Sequence, residues 1–168
     1  MLDRRLNILL HLLLPLLFVF LLPSLAFVDF SGRVVGVADG DTITVLKDKT
    51  PVKVRLNGID APEKKQAFGA RAKQFTSKSA FGKVVTIRER GRDKYGRTVA
   101  DVILPGGAVL NRELVKAGLA WHYVKYAPRD EALRELEWEA RLEKRGLWAD
   151  KDPVPPWCYR KQQKGREC

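Results

Sequence analysis

Asp41, Asp60 and Glu63 are carboxylates, and Arg55 and Arg97 are guanidiniums. They fall in three short segments: Asp39-Gly40-Asp41-Thr42, Arg55 to Glu63, and Asp93-Lys94-Tyr95-Gly96-Arg97. Carboxylate oxygens are hard donors that suit a cation such as Ca2+ and can steer a water molecule. Guanidiniums keep their charge at any working pH and donate in pairs to phosphate oxygens. Brought to one place, the set could carry out metal-assisted hydrolysis of a phosphodiester. Each segment also has a plain structural reading. Asp39-Gly40 is a turn former. Asp60 followed by Pro62 and Glu63 imitates a helix start with a capping box. Charge in a loop such as 91–97 is usually solvation. The conjunction, in this order on one small domain, is what points to chemistry.

The elements that must position these residues follow from periodicity. Val35 and Val37, then Ile43 and Val45, flank the Asp39-Gly40 bend in a β-rich stretch, and Lys47-Asp48-Lys49-Thr50 reads as a polar turn. Val52, Val54 and Leu56 alternate with Lys53, Arg55 and Asn57, so a strand here turns its apolar face to the core and Arg55 outward. Ala61-Pro62-Glu63 is expected to open a helix running to about Ala80, with Ala67, Ala70 and Phe75 available for packing. Its N-terminus would then set Asp60 and Glu63 at a pole favourable to anions. Strands are expected over Val84 to Glu89, Thr98 to Leu104 and around Trp121 to Tyr126. Helices are expected over Asn111 to Lys116, stopped by Gly118, and over Pro128 to Lys144, with Leu133, Leu136 and Ala140 on one stripe and Gly146 as the stop. About five short strands with interspersed helices point to a small barrel, an architecture that often serves as a nucleic-acid scaffold.

The ends of the chain differ in character from its body. Arg4 and Arg5 precede an apolar run from Leu6 to Leu22, and Ser24-Leu25-Ala26 supplies the small-x-small pattern of a signal-peptidase site, with cleavage before Phe27. An uncleaved anchor is the alternative, since the run approaches spanning length; Pro15 within it favours cleavage. The expected division is a signal peptide over 1–26, a folded domain over 27–150 and a basic, proline-containing tail over 151–168, exported to a secreted or periplasmic location. The formal charge of +11 becomes +10 once Arg4, Arg5 and Asp3 leave with residues 1–26. Such an excess suits a polyanion, either nucleic acid or an anionic membrane surface. Cys158 and Cys168 both lie in the tail, where they could pair without touching the core, and no neighbouring histidine marks them as nucleophile or zinc ligand.

The segments Val37 to Thr42, Val54 to Glu63, Asp93 to Arg97, Leu114 to Ala120 and Gly146-Leu147-Trp148, in that order, resemble the staphylococcal nuclease (thermonuclease) family over roughly Phe30 to Asp150. The resemblance implies an α+β fold, a five-stranded OB-type barrel with about three helices, and Ca2+-dependent hydrolysis of DNA and RNA, with Mg2+ the lesser candidate. By position, Asp41, Asp60 and the Ala61 backbone carbonyl resemble the metal ligands. Glu63 resembles the general base or water-orienting carboxylate, and Arg55 and Arg97 the pair on the scissile phosphate. Lys94, Tyr95 and Tyr126 resemble substrate contacts. Val124 departs from the pattern, since the family often carries a second tyrosine there, and Tyr123 is expected to face elsewhere. The loop after Glu63 also looks short for the family.

The chain is expected to act as a monomer with no stable protein partner, and at a membrane only if the N-terminal segment is retained. A barrel that binds nucleic acid without cutting it is the competing reading, although such a binder has no use for acids beside its phosphate grip. His122 lies outside the motifs and is expected to be a structural residue of a strand, which leaves Glu63 as the candidate base.

Overall fold

The computed structural model describes residues 29–168, so the expected signal segment lies outside the described residues. Five strands close into a barrel in the order β1-β2-β3-β6-β5: β1 Phe30–Val37, β2 Thr42–Lys47, β3 Thr50–Leu56, β5 Val84–Arg92 and β6 Thr98–Ile103. Every pairing is antiparallel except β3 with β6, which run parallel. Two short strands, β4 Ile59–Asp60 and β7 Trp121–His122, form a separate antiparallel pair beside the barrel. The expected strand over Trp121 to Tyr126 thus stops at His122, and the chain beyond it folds into turns. Four α-helices complete the described residues: α1 Gly69–Ala80, α2 Leu110–Lys116, α3 Glu131–Leu142 and α4 Pro156–Gln162.

Alternation decides the barrel as expected. Val34, Ile43, Val45, Val54, Leu56, Val85, Ile87, Ala100 and Val102 fill its interior, each at most 1% exposed. The hairpin between β2 and β3 is a two-residue turn in which Asp48 and Lys49 both take positive φ, the geometry that matches strand twist. Gly32 lets β1 cross close to β2, since a Cβ there would lie 2.1 Å from the Leu46 carbonyl oxygen. Leu110, Leu114 and Val115 from α2 and Leu133 from α3 extend the same core. Asp130 caps α3 by accepting from the Leu133 N–H at 3.0 Å.

Helix α1 corrects the expectation most clearly. It starts at Gly69, not at Pro62, and Phe68 before it is left-handed with φ 66°. Residues 61–68 form an irregular loop instead. A Cβ at Gly69 would sit 1.9 Å from the Glu63 carbonyl oxygen, so the loop folds back against the helix at the one residue with no side chain. Ala67, which falls in the loop, and Ala70 are exposed, while Ala72, Thr76 and Ala80 face the barrel. Phe75 is partly buried against the core.

The seam between the parallel strands is sealed by a side chain. Asn111 Nδ2 donates to the carbonyls of Asn57 at 2.9 Å and Ala100 at 3.2 Å, and its Oδ1 accepts from the Val102 N–H at 3.0 Å. Asn111 is 2% exposed, so its loss strands buried backbone groups away from water. Asn111→Ala is expected to lower stability by about 3 kcal/mol, the desolvation cost of one or two orphaned groups, read as a shift in urea midpoint at unchanged slope.

Candidate active site

Strand register gathers the first two acidic and basic motifs. Thr42 pairs with Arg55, and Arg55 pairs in turn with Val99, so the start of β2, the end of β3 and the start of β6 stand side by side. Arg55 points away from the barrel interior, as alternation requires, and bridges two carboxylates. Its Nη2 donates to Asp60 Oδ1 at 2.7 Å, and its Nη1 pairs with Asp41 Oδ2. Asp41 Oδ2 also accepts from the Ala61 N–H at 2.6 Å, and Asp41 Oδ1 from the Thr42 hydroxyl at 3.2 Å. Asp41, Asp60 and Ala61 are all buried. Asp60 sits on β4, held in place by its pairing with Trp121 on β7.

Arg97 comes in from the β5–β6 hairpin, where Asp93 organises the loop. The Asp93 carboxylate accepts from the backbone N–H groups of Tyr95 at 2.9 Å and Arg97 at 3.0 Å, and from Arg97 Nε at 2.7 Å. Arg97 Nη1 then reaches Thr42 Oγ1 at 3.5 Å, which ties it to Asp41 through one hydroxyl. Glu63 lies on the irregular loop, so the expected helix pole beneath Asp60 and Glu63 is absent: those two acids are placed by β4 and a loop, six or more residues before helix α1. Lys94 and Arg97 both approach the Tyr95 ring, at 5.1 and 5.6 Å from its centre. Tyr95 and Tyr126 are strongly exposed, with 72% and 67% of their surface free, which leaves their faces available to a ligand.

Two neighbours of the motifs behave as expected or otherwise. His122 is buried and its Nε2 meets the Ala127 carbonyl at 2.8 Å, a structural role. Tyr123, one place from the exposed Val124, stacks in parallel on Trp157 at 5.0 Å and meets Tyr126 edge-on at 4.9 Å.

The residue that the motifs miss is Arg160. The tail folds back as α4, and Arg160 Nη1 donates to Glu63 Oε1 at 2.8 Å and Asp60 Oδ1 at 3.2 Å, while Nη2 donates to Asp60 Oδ2 at 2.8 Å. Cys158 and Cys168 are bonded to each other, with Cα atoms 4.9 Å apart, closing the loop that follows Arg160. The basic tail thus reaches the acids, which its proline and lysine content does not foretell. The tryptophan and the cysteine pair flanking Arg160 are the signals that a solvated tail would lack.

Electrostatics follow from burial. Desolvation pushes the Asp60 carboxyl above the usual carboxylate range, and the hydrogen bond from Arg160 and the charge of Arg55 pull against it. Burial works against the Arg55 cation, but Asp41 and Asp60 outweigh it and hold the guanidinium charged. Asp39 is raised from 3.8 to about 6, by burial first and then by the charge of Asp41 beside it. Burial of Asp93 is opposed and outweighed by its bonds from Arg97 and Tyr95, which hold it below the usual range.

The donor set fits a hard cation rather than a soft one. Asp41 and Asp60 converge on one guanidinium, the Ala61 carbonyl adjoins them in sequence, and neither cysteine is free. Among the described residues no three His, Cys, Asp or Glu side chains surround a single point, and Arg160 bridges Asp60 and Glu63.

Comparison with known proteins gives the family. The family described as "Staphylococcal nuclease homologue" matches residues 53–150. The chain belongs to the staphylococcal nuclease family. An uncharacterized endonuclease of Escherichia coli O157:H7 is 47% identical over 144 residues, covering 86% of this chain and 93% of that protein. A micrococcal nuclease of Shigella flexneri is 42% identical over 148 residues, covering 83% and 85%. A staphylococcal-like nuclease of Arabidopsis thaliana is 41% identical over 113 residues, 67% of this chain and 34% of the plant protein. This nuclease-family chain is accordingly a hydrolase acting on nucleic acid, on an OB-type barrel, and its family generally depends on a metal.

One pH effect is specific to this site. In the unfolded chain Asp39 titrates near 3.8, and in the fold at about 6, so the fold prefers its protonated form. The stability it lends is full below about pH 4 and is lost as pH rises through about 6. Asp39→Asn, melted by calorimetry in chelator, is expected to match the wild type near pH 4 and to exceed it in Tm by pH 7. An equal difference at both pH values would refute the raised carboxyl.

Proposed function

We propose that this nuclease hydrolyses phosphodiester bonds of DNA and RNA with Ca2+ as its preferred ion, and that residues 1–26 direct its export to the periplasm or the exterior. The observation that carries the catalytic reading is the bridging of Asp41 and Asp60 by Arg55, with Arg97 one hydroxyl away. Acids that serve only to bind nucleic acid would be repelled by it; here two of them are buried beside the guanidiniums that suit phosphate.

Asp41, Asp60 and the Ala61 carbonyl would hold the ion. Bound there, it supplies Lewis acidity toward a phosphate oxygen and an anchored water. The remaining work falls to this chain's side chains. Glu63 orients the attacking water and takes its proton. Arg55 and Arg97 donate to the non-bridging oxygens, where charge grows as the water adds, and being preorganised they need no solvent rearrangement at that moment. The contact with Asp93 holds the Arg97 guanidinium at the rim, within reach of an incoming phosphate. Tyr95 and Tyr126 offer open ring faces to bases, and Lys94 a charge to a neighbouring phosphate. The stack on Trp157 covers one face of the Tyr123 ring, so Tyr126 is the more exposed tyrosine of its segment.

Arg97 gives the cleaner test, because removing Arg55 would leave buried Asp41 without its cation and Asp60 with Arg160 alone, and so disturb the fold. Arg97→Ala is expected to lower kcat on single-stranded DNA about 10²- to 10³-fold with the melting temperature nearly unchanged. Wild-type digestion of DNA and RNA should require Ca2+, fail in chelator and recover weakly with Mg2+. Digestion undiminished in chelator would reject the metal reading, and Arg97→Ala turning over at the wild-type rate would reject the phosphate role.

A further inference from the structure

The Glu63 carboxylate has one side-chain partner among the described residues, and that partner comes from outside the nuclease motifs. Arg160 Nη1 donates to Glu63 Oε1 at 2.8 Å. The same guanidinium spans both oxygens of Asp60, at 3.2 and 2.8 Å. Glu63 is more than a third exposed and sits on the irregular loop 61–68, whose rigidity its own backbone does not guarantee. A water-orienting carboxylate must be held to within a fraction of an ångström to be effective.

The tail is built to deliver that guanidinium. Trp157 lies parallel to Tyr123 at 5.0 Å and edge-on to Trp121 at 5.6 Å. Pro156 and Cys158 are buried, and the bond from Cys158 to Cys168 closes the segment after α4. Gln66 joins loop and tail directly: its Nε2 donates to the Val154 carbonyl at 2.6 Å, while its Oε1 accepts from the Glu63 N–H at 3.1 Å. Both the backbone and the carboxylate of Glu63 are therefore fastened through contacts that end in residues 154–160.

We propose that Arg160 is a positioning residue of the active site, delivered by the disulfide-closed tail, and that it ties Glu63 to Asp60 so that the Glu63 carboxylate faces the attacking water. The inference rests on the role assigned to Glu63 above. Arg160 acts through Glu63, and its loss frees that carboxylate without touching the barrel.

The test is a double-mutant cycle on single-stranded DNA in saturating Ca2+, with Glu63→Gln, Arg160→Ala and their combination, and with melting temperatures and calcium binding by calorimetry on each. Arg160→Ala is expected to lower kcat about 10- to 100-fold, the usual cost of losing a group that orients a site residue. KM should change by less than about threefold, since no substrate contact is lost. The two losses should be strongly non-additive, the double variant resembling Glu63→Gln alone. Arg160→Lys should recover part of the rate, and the Cys158→Ser/Cys168→Ser chain should fall in the direction of Arg160→Ala. If Glu63→Gln retains full activity, the role given to Glu63 fails and the inference with it. If Glu63→Gln is slow but Arg160→Ala is unimpaired, or their losses simply multiply, Arg160 does not position Glu63. An Arg160→Ala enzyme that is faster and binds calcium more tightly would make Arg160 a competitor for the ion's oxygens, which also overturns the proposal.

Discussion

The guanidinium of Arg55, buried between Asp41 and Asp60, is the constraint on which this site depends. Two carboxylates brought out of water a few ångströms apart would repel each other and lose hydration, and neither could stay ionised alone. One planar cation that meets both, with Arg160 meeting Asp60 from its other side, opposes that loss inside the fold. Because Asp41 precedes β2, Arg55 ends β3 and Asp60 lies on β4, the same group also fastens three successive segments. A buried pair of this kind is weak evidence for stability in itself. Its value here is in conformational definition: the oxygens that suit a cation are already paired, hydrogen-bonded and aimed.

From that centre the charges alternate outward in both directions. Toward the hairpin run Asp41, the Thr42 hydroxyl, Arg97 and Asp93. Toward the tail run Asp60, Arg160 and Glu63. Each acid has a base beside it, so the site concentrates charge while remaining near local balance, and the net excess of positive charge is left to the rest of the surface. The tyrosines at the rim are exposed while Asp41 and Asp60 are buried.

The barrel was legible because its strands obey period two: Val54 and Leu56 face in and Arg55 faces out as their spacing requires. The motif residues were legible as types, and their convergence follows from the pairing of Thr42 with Arg55 and of Arg55 with Val99. The start of α1 was not, because Asp60, Pro62 and Glu63 satisfy the local rules for a helix start while a distant close approach, Gly69 against the Glu63 carbonyl, imposes a loop. Local propensity cannot register such a contact. Arg160 was hidden for a related reason. A proline-rich basic stretch reads as solvated, and Trp157, finding Tyr123 and Trp121 across the fold, helps turn it into a docked helix.

The Asp60–Arg160 pairing joins residues one hundred positions apart. Contacts of such long range contribute nothing until the intervening chain has been ordered, so they form late in folding and slow the approach to the native state. The barrel hairpins, closed by turns of a few residues, carry no such delay. The Glu63–Arg160 contact, at a separation of 97 residues, belongs to the same class. The tail is therefore a costly fastening, since its closure spans most of the domain.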